Sequence, residues 1–186
     1  YQNALRNVQF ENTSQAPTNL IKTVEVLVND GSDNSLPYYR HIKIIPVIEP
    51  PVITPFLGGG ANDTITYTEG DGPAAMVPGL IVEDPDDINL DGFTARFITN
   101  FQAGEDAISI NLDFGVTGSY DDQNGVFELT GRTSLANYQT ILRSLAYSNS
   151  SEDPSEAQRI VEMFAFDGDV VSSSLFIAVN VIPVND

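Results

Sequence analysis

The 186-residue chain has no cysteine. Disulfides, thiolate metal sites and thiol nucleophiles are therefore excluded. It has one histidine, His41, and a lone histidine cannot build a zinc site. No G-x-S-x-G elbow occurs, and His41 has no credible Ser and Asp partners for a triad. Basic residues are scarce: 8 Lys and Arg stand against 26 Asp and Glu, a net charge of -18. Nucleic-acid binding needs a basic footprint, so it is disfavoured, as is an anionic membrane surface. No run approaches 18 apolar residues, so no bilayer-spanning helix is expected, and no signal peptide is read. The glycine-rich stretches carry neither a phosphate-loop lysine nor a dinucleotide fingerprint. Carboxylate pairs for glycoside hydrolysis have nothing in the sequence to orient them. An enzyme is the weakest reading.

What the chain does contain is one stretch twice. Residues Tyr1–Glu49 align with Tyr138–Asp186 without a gap, at a constant offset of about 137, and about 15 of 49 pairs are identical. Leu5 falls on Leu142, Asn12 on Asn149, Pro17 on Pro154, Asp30-Gly31 on Asp167-Gly168 and Pro46-Val47 on Pro183-Val184. A period of that length suits a whole domain, not a solenoid repeat. The expected organisation is the C-terminal part of one module at 1–50 and a complete module at 51–186. Between them, Ile48-Glu49-Pro50-Pro51 reads as a stiff extended linker. On this reading the chain begins inside a module, and missing targeting signals carry no weight.

An apolar content of 41% supports a packed core. In the first copy, strands are expected from Val8 to Asn12, Thr23–Val28 and Tyr38–Val47, after the tail of a helix at Tyr1–Asn7. In the second, strands are expected at Ile65–Glu69, Phe93–Asn100, Asp106–Phe114, Thr117–Asp121, Gly125–Leu129, Leu145–Asn149, Arg159–Phe166 and Ser174–Pro183. Gly58-Gly59-Gly60 reads as a loop, and Asn124-Gly125 as a hairpin turn. Leu135, Tyr138, Ile141, Leu142 and Leu145 recur at spacings of three and four, a short helix that Ser134 can cap. Many short strands with one small helix predict an all-β antiparallel sandwich.

The acids have two readings. They solvate a surface, or some converge on a cation. Calcium takes six to eight oxygens, which loops supply more readily than strands. Glu83-Asp84-Pro85-Asp86-Asp87, Phe166-Asp167-Gly168-Asp169 and Val184-Asn185-Asp186 are the acidic turns. None is an EF-hand loop.

Along Pro50–Asp186 the chain resembles cadherin-like repeats, especially those of very large bacterial surface adhesins. The markers are Tyr67-Thr68-Glu69-Gly70-Asp71-Gly72-Pro73, Val82-Glu83-Asp84-Pro85-Asp86, Phe101-Gln102-Ala103-Gly104, Thr117-Gly118-Ser119-Tyr120, Tyr138–Pro154, Phe166-Asp167-Gly168 and Ile182-Pro183-Val184-Asn185-Asp186. The resemblance implies tandem cadherin-like, immunoglobulin-like sandwiches with calcium at module junctions. Asp84, Asp86 and Asp167 would then lie together at the end facing Glu49, with Glu69, Asn185 and Asp186 facing the next module. Two departures stand out. Ile48-Glu49 occupies the place of the family's Asn-Asp, and Gly131–Leu135 lacks its acidic L-D-R-E motif.

Three N-x-S/T sequons occur, at Asn12, Asn62 and Asn149. They are glycan acceptors in a secreted eukaryotic protein and turn residues in a bacterial one. The expected function is that of a non-enzymatic extracellular, cell-surface repeat module, a spacer or adhesive stalk. Its partners are adjacent modules and a strand-completing chain or fragment at residues 1–50. The alternative is a glycan- or protein-binding module using Tyr38, Tyr39 and Tyr120 as stacking platforms.

Overall fold

The computed structural model describes residues 2–14, 17, 20–55 and 62–185, with the side chain of Asn62 outside that set. Tyr1, the Gly58–Gly60 loop, the Asn62 sequon side chain and Asp186 lie outside the described residues. The chain divides into two compact units, Tyr1–Ile48 and Glu49–Asp186. Glu49 belongs to the second because its N–H donates to the Asp86 carboxylate at 3.3 Å, and Pro51 is buried.

The first unit is a hairpin with little else. A four-residue helix α1 (Gln2–Leu5) precedes β1 (Ile21–Val26) and β2 (Tyr38–Lys43), which pair antiparallel. Val24 and Val26 alternate with exposed Thr23 and Glu25, and Ile42 with exposed His41 and Lys43. That is period-2 patterning for a sheet with one apolar face. Yet no described side chain of residues 2–48 is fully buried. The strand expected from Val8 to Asn12 does not form; those residues are irregular and exposed. A strand needs a partner for its backbone groups, and this segment has none among the described residues of its unit.

The second unit is a two-layer all-β sandwich. Its strands are β3 (Val52–Thr54), β4 (Asn62–Thr68), β5 (Ala74–Ala75), β6 (Ile81–Glu83), β7 (Asn89–Thr99), β8 (Asp106–Ser109), β9 (Thr117–Asp121) and β10 (Val126–Ser134). Helix α2 (Leu135–Leu142), β11 (Ala146–Asn149), β12 (Arg159–Phe166) and β13 (Leu175–Ile182) follow. A six-stranded sheet runs β4-β13-β12-β7-β10-β9, and a three-stranded sheet β5-β11-β8, with β3 and β6 paired separately. Alternate residues of β12 (Val161, Met163, Ala165) and β13 (Ile177, Val179, Val181) point into one core. Across it, Tyr147 of β11 meets Tyr67 edge-on at 5.2 Å and Phe97 at 6.1 Å. Helix α2 closes one side with Tyr138, Ile141 and Leu142, and Ser134 Oγ caps it by accepting from Asn137 N–H.

Two strand expectations change. The sandwich is not wholly antiparallel, because β4 pairs parallel to β13 from Asn62↔Phe176 to Thr68↔Ile182. The strand expected over Asp106–Phe114 ends at Ser109. Beyond it the backbone turns, with Phe114 at φ 55°, while Asn111 N–H donates to Ser144 Oγ.

The repeat is reproduced bond for bond in the two hairpins. In β1–β2, Lys22 faces Ile42, Val24 faces Arg40 and Val26 faces Tyr38. In β12–β13, the positions 137 residues later face each other: Arg159 and Val179, Val161 and Ile177, Met163 and Leu175. Asp30 Oδ1 accepts from Ser32 and Asp33 N–H, as Asp167 Oδ1 does from Asp169 and Val170. Ser35 N–H donates to the Val28 carbonyl, and Ser172 N–H to Ala165. Gly31 and Gly168 take φ of 108° and 112°, a region in which only glycine rests without strain.

Candidate functional site

The acidic end of the second unit is built by two turns and a β-bulge. After β6, Asp84 Oδ1 accepts the N–H groups of Asp86 and Asp87, an aspartate turn that folds the Asp-Pro-Asp-Asp sequence on itself. Asp84 Oδ2 is buried without a hydrogen-bond partner among the described residues. Burial pushes the Asp84 carboxyl up; the N–H groups of Asp87 and Asp86 pull it down, and the Asp86 carboxyl beside it pushes it up again. The net shift is upward from 3.8. Asp86 also accepts the Glu49 N–H. Asp167, at the end of β12, is buried and its Oδ1 is committed to its own turn.

A cation already sits at this end. Arg132 Nη1 donates to Asp91 at 3.1 Å and to the Asp167 carbonyl at 3.4 Å, and Nη2 donates to Asp87 at 3.3 Å. The cause is local. The β10–β7 register shifts between Thr130 and Thr133, and Gly131 supplies φ 126° at the bulge. A bulge re-aims the residue beside it, here Arg132. Burial raises the Asp87 carboxyl, but the N–H groups of Asn89 and Ile88 and the Arg132 guanidinium outweigh it and hold it below 3.8.

Asp84 and Asp86 are thus brought side by side, with Glu49 N–H on Asp86, while the Asp167 carboxylate is turned into its own loop. Glu69 and Asn185 belong to the other end of the sheet: Glu69 Oε2 accepts the Val184 N–H at 2.7 Å beyond β13. The two ends are separated by the eight residues of β13, roughly 25 Å at strand rise. Among the described residues no three His, Asp or Glu side chains stand where they could hold one ion. These residues alone do not fit a calcium cage. Among the described residues the orphaned Asp84 oxygen beside Asp86 has the chemistry of a cation ligand.

A second polar cluster lies inside the core. Asp106 and Arg159, both with 0% side-chain exposure, pair at 3.2 Å. Asp106 also accepts from Tyr147 OH at 2.6 Å, Asn149 Nδ2 at 2.7 Å and Gln102 N–H at 2.8 Å. Arg159 Nη1 donates to the carbonyls of Ser155 and Ala157. The Asn149 amide is therefore buried and engaged, so this sequon is not open to a glycan in the folded unit, whereas Asn12 is exposed. Tyr120 is no stacking platform either: it packs against the core and its OH donates to the Asp106 carbonyl. Tyr38 and Tyr39 are exposed. His41, also exposed, pairs with Thr23 Oγ1 at 3.0 Å.

No family model matches the chain. It is similar to halomucin of Haloquadratum walsbyi (strain DSM 16790 / HBSQ001), 30% identical over 104 residues, which is 53% of this chain and 1% of halomucin. Among solved structures it is similar to human CDH23 EC21-23, at 15% identity and a TM-score of 0.38, covering 89% of this chain and 48% of that one. The chain therefore spans a small part of the first protein and under half of the second. No helix among the described residues is long and apolar enough to cross a membrane.

Sequence reasoning missed Arg132 and Asp91 as parts of the acidic end, and Asp106 with Arg159 in the core. One signal for the latter was available. The repeat keeps a cation at Lys22 and Arg159, an aromatic at Phe10 and Tyr147, and asparagine at Asn12 and Asn149.

Proposed function

We propose that this chain is part of a non-enzymatic extracellular repeat protein, a cadherin-like spacer or adhesive stalk in which modules follow one another along a surface-exposed polypeptide. The observation that carries the reading is the hairpin repeated with the same register and the same turn hydrogen bonds. A chain that reproduces a hairpin and its turn in the same register is organised as units, not around one catalytic cleft. The similarity to halomucin supports the same reading. Adjacent modules of the protein are the first partners. The test is protease shaving of intact cells of the source organism, followed by immunoblotting with antibodies to the second unit. Loss of the epitope without lysis is expected; full protection until lysis overturns the reading.

Within it, the Asp84–Asp86 pair is where a calcium ion would bind, with Asp84 Oδ2 and Asp86 as two carboxylate ligands. Further oxygens would come from outside the described set. A ligand that binds only the folded state raises the melting temperature by mass action. We expect millimolar calcium to raise it by a few degrees over chelator, and Asp84→Asn to abolish the difference. Equal melting in both buffers leaves these acids as turn residues that hold no calcium.

A further inference from the structure

The first unit displays a face whose cover can be read from the second unit. Phe10, Val24, Val26, Tyr38 and Ile42 line a groove of about 280 Å³ that opens to solvent. Phe10 is 47% and Tyr38 64% exposed, and Leu5 at the end of α1 is 46% exposed. Their counterparts 137 residues later are Tyr147, Val161, Met163, Leu175, Val179 and Leu142, all buried. What buries them there is the segment Val52–Ser134. It supplies β4 as a parallel neighbour of β13 and β7 as an antiparallel neighbour of β12. It also supplies β5 and β8 on either side of β11.

Among the described residues each of these places is open in the first unit. Among the described residues of that unit β1 and β2 pair only with each other, which leaves both outer edges without a described partner. The segment matching β11 is irregular and has no partner strand among the described residues. Glu25 matches Glu162, which Arg96 of β7 binds at 2.7 Å; among the described residues Glu25 is bonded by Tyr39 OH at 3.4 Å and by no cation. An isolated two-stranded hairpin is marginal in water. An apolar face and two strand edges therefore coincide in this hairpin, and Glu25 sits on its opposite, exposed face at the β1 edge.

We infer that this face is a docking surface for a strand-bearing polypeptide segment of the Val52–Ser134 type. The segment adds a parallel strand along Tyr39–Ile45 and an antiparallel strand along Thr23–Asn29, and it sets an arginine opposite Glu25. The Val8–Asn12 segment becomes a strand only when this occupant arrives. The occupant is specified by the internal repeat, so the inference stands apart from the cell-surface reading.

The test extends the full 186-residue chain with a second copy of residues 52–137 placed directly before Tyr1, which matches Tyr138. Amide hydrogen exchange is followed at Val24, Val26 and Ile42. In the unextended chain these amides exchange fast, while Val161, Met163 and Val179 are protected. The extension is expected to slow the first set at least about 100-fold, towards the second. An extension carrying Phe93→Asp and Phe97→Asp in its own copy should leave them fast. In the extended chain, Glu25→Arg should speed exchange about 2- to 5-fold, the weight of an exposed ion pair. Arg96→Glu in the added copy should restore it. Unchanged exchange on extension overturns the inference. So does protection of β1 and β2 in the unextended chain through self-association, because the face then takes a second copy of itself. Protection by the Phe→Asp extension overturns it too.

Discussion

The same hairpin stands twice in this chain, once in the open and once inside a sandwich. Leu5 and Leu142 are the same residue at the same place in the repeat, one 46% exposed and the other fully buried. The backbone barely registers the difference: strand register, turn hydrogen bonds and glycine dihedrals agree. A hairpin's local geometry is therefore set by its own alternation and its own turn. Its energetics are set by what lies against it.

The largest effect that can sharpen this contrast is at the buried ion pair. Asp106→Ala leaves Arg159, Tyr147 OH and the Asn149 amide without their shared acceptor in a dry core. We expect a loss of about 3–5 kcal/mol in the second unit, because breaking a buried pair strands a charge. Lys22→Ala, at the exposed place matching Arg159, should cost less than about 0.5 kcal/mol. Urea unfolding read through amide exchange of β12 and β1 measures both. Equal costs would mean that the two environments are alike.

Next comes the leucine pair. Leu142→Ala should destabilise the second unit by about 2–5 kcal/mol through lost transfer energy and the cavity left behind. Leu5→Ala in the same chain should change the first unit by less than about 0.5 kcal/mol. A Leu5→Ala cost as large as that of Leu142→Ala would show that the first unit's face is already covered in solution.

The smallest effect lies in the turn. Asp30 sits below the ordinary 3.8, held there by the N–H groups of Asp33 and Ser32 against slight desolvation. A carboxyl with a lowered folded pKa adds stability that is present above 3.8 and lost as pH falls through the folded value. An NMR titration of Asp30 should therefore have its midpoint below 3.8. Protection of the Ser32 and Asp33 amides should disappear below that midpoint while β12 and β13 stay protected. A midpoint at or above 3.8 breaks the proposed identity of the two turns, since the Asp30 carboxylate would not be holding its loop.

The repeat, the hairpins, the capped helix and the acidic turns were legible because each depends on neighbours in sequence. Period-2 alternation at Val24, Val26 and Val161, Met163 marks a face wherever it occurs. Asp-Gly at 30–31 and 167–168 makes the same turn with or without a core. The Asp84 turn was legible too, because its acceptor and donors lie within three residues. Arg132 was not, because a bulge, rather than a motif, aims it at Asp87 and Asp91. The parallel pairing of β4 with β13 was not legible either, since alternation reports which face is apolar and says nothing of the direction of a neighbour.

By itself the sequence determined the all-β class, the 137-residue register and which side of each hairpin is apolar, because these follow from local backbone geometry and side-chain periodicity. The tertiary structure decided the rest. It made β11 a strand and left Val8–Asn12 irregular, joined Asp106 to Arg159 across 53 residues, and sealed the Asn149 amide while leaving Asn12 open. Each of these depends on whether a partner arrives from far along the chain to satisfy backbone and polar groups and to exclude water. No residue encodes that arrival alone.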